Sequence, residues 1–214
     1  MRYTTVIFDL DGTLLNTLED IRDSVNHILA KYGYPQRTLE EIRRFVGNGS
    51  GVLLERALPE GRATPDFDGL LAEYVAWYED HNMIRTAPYE GVRELLGALA
   101  ASEHKLAVVS NKPDANTKAL VRKFFGAYVS VAIGERPGVS RKPSPDSVKA
   151  AMRELQSLPY ETVYVGDSEV DLKTARAAGI PCLSVTWGFR TPEYLTELGA
   201  QTLVSRPRDI LKLV

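Results

Sequence analysis

Cysteine is almost absent from this chain. Cys182 stands alone among 214 residues, so no internal disulfide can form. A disulfide-built secreted scaffold is excluded, and a reducing setting is expected. Long apolar runs are also missing. Stretches such as Leu106-Ala107-Val108-Val109 are far too short to span a bilayer. Met1-Arg2-Tyr3-Thr4-Thr5 leads directly into strand-like sequence and carries neither the apolar stretch nor the cleavage site of a signal peptide. These features predict a cytoplasmic protein with no membrane partner. Excess charge is lacking too: 26 Lys+Arg against 28 Asp+Glu leave a net charge of -2, no footprint for a nucleic-acid polymer. The three histidines, His27, His81 and His104, are scattered without ligand spacing, which argues against a histidine metal centre. No repeat or low-complexity tract occurs, and a hydrophobic content of 44% excludes general disorder.

What is present is a series of short β-rich runs. They are Thr5–Phe8, Leu106–Val109, Val129–Ile133, Thr162–Val165 and Cys182–Val185, with a weaker one at Gln201–Val204. Apolar runs without alternation indicate strands buried on both faces. From about residue 91, helical patterns separate them: Val92–Ala101, Asp114–Phe125, Pro145–Leu155 and Asp171–Ala178. Such alternation predicts an α/β fold with a doubly wound, Rossmann-like parallel sheet. Ser144-Pro145-Asp146 reads as an N-cap followed by a proline at the first helical position. Ala178-Gly179-Ile180-Pro181 reads as a helix stop.

One long segment breaks the alternation. Residues 16–85 show helical periodicity, with Ile21, Val25, Ile28 and Leu29 on one face, and Leu70, Leu71, Tyr74, Val75 and Tyr78 on another. This stretch holds 8 basic and 12 acidic residues, a balance of -4, whereas the remainder sums to +2. We expect a small α-helical domain at 16–85 inserted after the first strand of a core formed by 1–15 and 86–214. The alternative is one domain whose extra helices pack on the sheet. The insert is preferred because it follows the carboxyl end of the first strand, where open α/β sheets bind ligands.

Four motifs carry candidate chemistry. In Phe8-Asp9-Leu10-Asp11-Gly12-Thr13-Leu14, two acids sit where a buried strand runs out. Such a pair needs compensation, and oxygen ligands suit a divalent cation such as Mg2+. Read alone, the motif also fits a plain Asp-Gly turn. A calcium loop is disfavoured because the EF-hand spacing is absent. In Val109-Ser110-Asn111-Lys112-Pro113, the Ser110 hydroxyl and the next N–H are able to hold an anionic oxygen, and equally to cap a helix. Lys142, before Pro143 and a helix start, suits a phosphate, with Lys112 and Arg141 competing for that role. In Gly166-Asp167-Ser168-Glu169-Val170-Asp171, one acid can bind metal while the other orients a water or a lysine. Asp9, Ser110, Lys142 and Asp167 all fall at or just beyond strand ends, which a parallel sheet gathers on one rim.

In order and spacing, Asp9-Leu-Asp11-Gly12-Thr13, Ser110, Lys142 and Gly166-Asp167-Ser-Glu-Val-Asp171 resemble the four motifs of the haloacid dehalogenase-like hydrolases. The helical insert stands in the place of that family's small cap. Val46-Gly47-Asn48-Gly49, Leu53–Leu58 and Pro88-Tyr89-Glu90-Gly91-Val92 are similar to the phosphoglycolate phosphatase subgroup, while Asn16-Thr17 departs from the Asp-Ser its members often carry. The resemblance implies a Mg2+-dependent phosphatase in which Asp9 is the nucleophile, forming an aspartyl phosphate, and Asp11 the acid and base. It implies metal ligation by the Asp9 carboxylate, the Asp11 carbonyl and Asp167, and phosphate binding by Ser110, the Asn111 N–H and Lys142. Gly12, Thr13 and Asp171 would be supporting residues. The substrate would be a small phosphorylated metabolite, with Arg43, Arg44, Gly47, Asn48, Gly49 and Arg56 as candidates for reading its organic end. A monomer or homodimer is expected. A pyrophosphatase, a broad sugar or nucleotide phosphatase and a sugar phosphomutase are the competing activities, and a non-catalytic binding module is a further alternative.

Overall fold

A computed structural model describes residues 3–214. It divides into two compact units: the chain up to Leu15 together with Pro88–Val214, and Asn16–Ala87. The return to the first unit thus falls at Pro88 rather than at residue 86. Two short strands, β2 (Leu15–Asn16) and β3 (Ala87–Pro88), pair with each other where the chain leaves and re-enters that unit.

The α/β unit is built on a six-stranded sheet of β1 (Thr5–Phe8), β4 (Lys105–Pro113), β5 (Val131–Glu135), β6 (Thr162–Gly166), β7 (Cys182–Val185) and β8 (Leu203–Val204). Its order is β5-β4-β1-β6-β7-β8, and every described pairing is parallel. β1 is central and wholly buried, as its four apolar or β-branched residues require. The chain moves from β1 to one side, through β4 and β5, then returns to β6 on the other. This reversal opens a crevice at the carboxyl ends of β1, β4 and β6, the usual ligand position in such sheets. Phe8 is in register with Val108 on one side and Val165 on the other, so the residues just beyond them share one level.

Helices α5 (Val92–Ala101), α6 (Asp114–Phe125), α7 (Asp146–Glu154), α8 (Glu169–Ala178) and α9 (Pro192–Glu197) complete the unit. Ile7, Ala107, Val109, Ile133 and Tyr164 line one face of the sheet, packed with Val148 and Ala151 of α7 and Ala175 of α8. Period-2 alternation turns Val6, Phe8 and Val163 to the other face.

Several expected boundaries shift. β4 runs through Ser110 to Pro113, but its pairing with β5 becomes irregular between Val109 and Pro113, so Ser110 marks the end of regular pairing rather than of the strand. Pro145, not Ser144, occupies the N-cap position of α7. α8 begins at Glu169 because Ser168 caps it, with the Ser168 N–H and hydroxyl both donating to Asp171 Oδ2 at 3.1 and 2.6 Å.

The helical unit contains α1 (Leu18–Lys31), α2 (Leu39–Phe45), α3 (Gly49–Ala57) and α4 (Phe67–His81). Ile21, Val25, Ile28 and Leu29 are buried, as are Leu70, Tyr74 and Tyr78, whereas Leu71 and Val75 are half-buried at the edge of their stripe. Trp77 is stacked against two histidines, His27 at 3.5 Å and His81 at 3.8 Å between ring centroids. Both rings are within 8° of parallel to the indole, so they cover opposite faces of it. Among the described residues, no helix is long and apolar enough to cross a membrane.

Candidate active site

Asp9 follows β1 directly, and its N–H still bonds Val165 O at 2.8 Å, which prolongs the pairing with β6 by one residue. Its carboxylate is buried and accepts from Lys142 Nζ at 2.6 Å. Lys142 also donates to Asp171 Oδ1 at 2.8 Å and to the Tyr164 hydroxyl at 3.0 Å. Asp9, Asp167 and Asp171 each present a carboxylate oxygen within 4.8 Å of the others. The β1 and β6 exits, the first turn of α8 and the loop before α7 thus bring Asp9, Asp167, Asp171 and Lys142 together.

The turn after Asp9 is shaped by a close approach. Gly12 has φ +86, and a Cβ there would lie 2.4 Å from Asp167 Oδ2, so only glycine suits both backbone and neighbour. Thr13 Oγ1 donates to Asp167 Oδ1 at 3.3 Å. The loop after β7 closes on the same carboxylate. Phe189 N–H donates to Asp167 Oδ2 at 2.7 Å, Trp187 Nε1 donates to Thr13 O at 3.0 Å, and a Cβ on Gly188 would meet Asp167 Cβ at 2.4 Å. Residues 187–189 therefore help build the site; the sequence signal was only their position after a main strand. Beside them, Arg190 and Glu169 form a two-point ion pair, at 2.8 and 3.2 Å.

The competing cations separate by geometry. Lys112 Nζ lies 3.2 Å from Asp11 Oδ1, Arg141 pairs with Glu135, and Lys142 Nζ lies 2.6 Å from Asp9 Oδ1. The two acids of the first motif thus diverge: Asp9 faces Lys142, and Asp11 faces Lys112. Ser110 is buried, and its Oγ accepts from Lys112 N–H at 3.2 Å. The Asn111 side chain holds the Lys142 main chain, with Oδ1 accepting from Lys142 N–H at 2.8 Å and Nδ2 donating to Lys142 O at 3.0 Å.

Sequence reading alone missed Tyr164. A phenol inside an otherwise aliphatic strand was the available signal, because a buried hydroxyl needs a partner. Here it donates to Asp171 Oδ1 at 2.9 Å while accepting from Lys142.

Electrostatics show what the cluster needs. Burial, then the charge of Asp171, raises the Asp9 carboxyl well above the usual range, against the pull of Lys142. Burial and the charge of Asp171 also push Asp167 up to about 7, against the Phe189 N–H, Arg190 and Lys142. Burial opposes ionisation of Asp171, but the charge of Lys142 and the bonds from Lys142, Ser168 and Tyr164 hold it below the ordinary value. Burial disfavours the Lys142 ammonium, yet Asp171 and Asp9 outweigh it and raise its pKa. Three carboxylates against one ammonium leave an anionic surplus. The all-oxygen donor set of Asp9 and Asp167 fits a hard divalent cation.

The other candidates lie in the helical unit. Arg43 and Arg44 reach Glu40 at 3.6 and 3.2 Å, and Arg56 donates to Phe45 O at 2.8 Å. Asn48 occupies the N-cap position of α3 between Gly47 and Gly49, whose φ angles are +115 and +82.

Comparisons with known proteins agree with this architecture. A family model described as haloacid dehalogenase-like hydrolase matches residues 6–185. The chain is 35% identical over 191 residues to a phosphoglycolate phosphatase of Pseudomonas putida, covering 86% of this chain and 70% of that one. It is 33% identical over 204 residues to a phosphoglycolate phosphatase of Mesorhizobium japonicum, covering 94% and 89%. A crystal structure of a Lactobacillus delbrueckii subsp. bulgaricus protein superposes with a TM-score of 0.94 at 31% identity, covering 100% of this chain and 98% of that one.

Proposed function

Given that this chain belongs to the haloacid dehalogenase-like hydrolases and is a phosphatase of the phosphoglycolate phosphatase type, we propose that it hydrolyses phosphoglycolate or a closely similar small organic phosphate, with Asp9 as nucleophile. The observation that carries the reading is the buried Asp9 carboxylate at the end of β1, bonded to Lys142 at 2.6 Å and clustered with Asp167 and Asp171.

Asp9 attacks phosphorus, the ester oxygen leaves, and an aspartyl phosphate remains for water to cleave. Asp11 protonates the departing oxygen and then takes a proton from that water. Its carboxylate lies 3.2 Å from Lys112 Nζ, whereas the Asp9 carboxylate bonds Lys142. Ser110, the Asn111 N–H and Lys142 hold the phosphoryl oxygens.

An anionic nucleophile facing a phosphate dianion meets a repulsion of roughly 4 kcal/mol per charge pair at about 4 Å and an effective dielectric of about 20. Lys142 offsets part of it. Asp9, Asp167 and the Asp11 carbonyl would hold Mg2+, which would supply the remaining positive charge. We assign the reading of the substrate's organic end to the helical unit, through Arg43, Arg44, Arg56 and Gly47-Asn48-Gly49. Alanine replacements that leave substrate preference unchanged would remove this assignment. A cytoplasmic monomer or homodimer completes the proposal, the compartment resting on the lone Cys182.

The test is phosphate release from phosphoglycolate, pyrophosphate, sugar phosphates and nucleotides, with Mg2+ and with chelator. Phosphoglycolate is expected to be turned over best, only with the metal, and Asp9→Asn to abolish release. Preference for another ester would move the substrate assignment. Phosphoryl return to a sugar without net phosphate release would indicate a mutase. An active Asp9→Asn protein would overturn the mechanism.

A further inference from the structure

We propose that Lys142 is aimed by two neutral side chains, Asn111 and Tyr164, which act as positioning residues for the phosphoryl-binding ammonium. The inference rests on the reading of Lys142 given above and assigns to these two residues a task that the four motifs leave open.

Lysine carries its charge on a flexible four-carbon stem, so a defined ammonium position requires restraint at both ends. At the main-chain end, the Asn111 side-chain amide bonds Lys142 N–H and C=O at 2.8 and 3.0 Å. This two-way pairing imitates a rung of a β-ladder. It falls where regular pairing of β4 with β5 has broken down, between Val109 and Pro113, so a side chain ties the loop before α7 to β4. Both residues are buried, at 7% and 5% exposure, and water competes little for these bonds.

At the ammonium end, Tyr164 rises from β6, a strand without exposed residues. Its hydroxyl accepts from Nζ at 3.0 Å and donates to Asp171 Oδ1 at 2.9 Å. The three ammonium donors thus have three acceptors: Asp9, Asp171 and Tyr164. Asp171 is saturated in turn, because its other oxygen takes the Ser168 N–H and hydroxyl. An amide and a phenol orient the cation without neutralising it, which leaves its charge for the phosphoryl group.

Steady-state turnover of phosphoglycolate and of the activated ester p-nitrophenyl phosphate, with Mg2+, tests the proposal in a double-mutant design. Asn111→Ala and Tyr164→Phe are each expected to lower kcat/KM roughly ten- to a hundredfold. In a Lys142→Met background the same changes should have less than about a twofold effect, since their route through the ammonium is gone. Equal losses in both backgrounds, or no loss with Lys142 present, would overturn the proposal. Crystal structures of the two single variants supply a readout independent of rate. The ammonium should leave its bond to Asp9, and an unmoved Lys142 would sink the inference even if activity fell. A fully active Lys142→Met protein would instead overturn the phosphate-binding reading, whatever the variants do to the position of Lys142.

Discussion

Each unit buries carboxylates, but it treats them differently. In the helical unit, Asp20 is 3% exposed and accepts the backbone N–H groups of Ile84, Arg85 and Thr86 at 2.9–3.1 Å. It pins the end of the segment after α4 to α1, and its donors are fixed parts of the same unit. In the α/β unit, Asp9 and Asp171 share a single ammonium, and Asp167 is clustered with them. The first arrangement is complete within the chain. The second is left with an anionic surplus, which the proposed Mg2+ and phosphoryl group would offset. Burial alone therefore does not mark a functional acid. An unbalanced charge count does, because a fold keeps such a cost only where the groups are used.

Replacing Asp9 gives the largest expected effect. Asp9→Asn should lower turnover by about 10³-fold or more, since it removes the nucleophile. Without metal, the variant should unfold no earlier than the unaltered protein at pH 8, because a neutral amide relieves a carboxylate that burial and Asp171 disfavour. A variant that lost stability as well as rate would place Asp9 with Asp20 as a structural acid. Thermal unfolding with chelator separates the two.

The next effect is a dependence on pH. Asp167 titrates at about 7 and Asp9 well above the usual range, so the folded, metal-free protein retains protons that the unfolded chain has released. Stability then falls as pH rises, beginning near the ordinary carboxylate pKa and continuing through about 7. Asp167 alone accounts for a loss of roughly 2–3 kcal/mol between pH 5 and 8, and Asp9 adds to it in the same direction. Asp171 shifts the opposite way, and its contribution is lost only in more acid solution. Mg2+ bound as proposed would replace the retained protons, so its stabilisation should grow over the same interval. Melting curves at pH 5 and 8, with Mg2+ and with chelator, check this. A metal-free protein equally stable at both values would refute the charge count.

Much of this comparison was legible in the sequence, and the reasons are local. Asp9 and Asp167 follow apolar runs, Lys142 stands before a helix start, and parallel strands bring their ends to one rim, so the sequence already pointed to their gathering. Tyr164 and the 187–189 loop were not legible in the same way. Their roles depend on which face of β6 a residue takes and on how a loop folds back over Gly12, both products of tertiary packing. Lys112, Arg141 and Lys142 were equivalent as charges. Only the path of the chain beyond Val109 and before α7 turns one to Asp11, one to Glu135 and one to Asp9. Asp20 looked like any acid in the first turn of a helix. That it holds three distant N–H groups requires residues more than sixty positions away.

Asp20→Ala is the counterpart of the Asp9 variant. Loss of the acceptor for three N–H groups, one of them buried, should cost about 2–3 kcal/mol of stability. Mg2+ affinity should not change, because none of the clustered acids is altered. Calorimetric unfolding and Mg2+ titration read the two quantities separately, and a shift in metal affinity would break the contrast.

The smallest effect comes from two helix starts built alike. Thr38 caps α2 through reciprocal bonds with Glu41, at 3.2 Å to the Glu41 N–H and 2.8 Å from the Thr38 N–H. Ser168 caps α8 and donates twice to Asp171. Thr38→Ala and Ser168→Ala should each cost about 1 kcal/mol, a melting shift of roughly 2–4 °C for a chain of this size. Their kinetics should differ. Ser168 helps hold the carboxylate that anchors Lys142, so its loss should lower kcat about three- to tenfold, whereas Thr38→Ala should leave kcat within about twofold of the unaltered value. If both variants lost stability and neither lost rate, the bonds from Ser168 would be ordinary capping, and the restraint on Asp171 would have to come from Tyr164 and Lys142 alone.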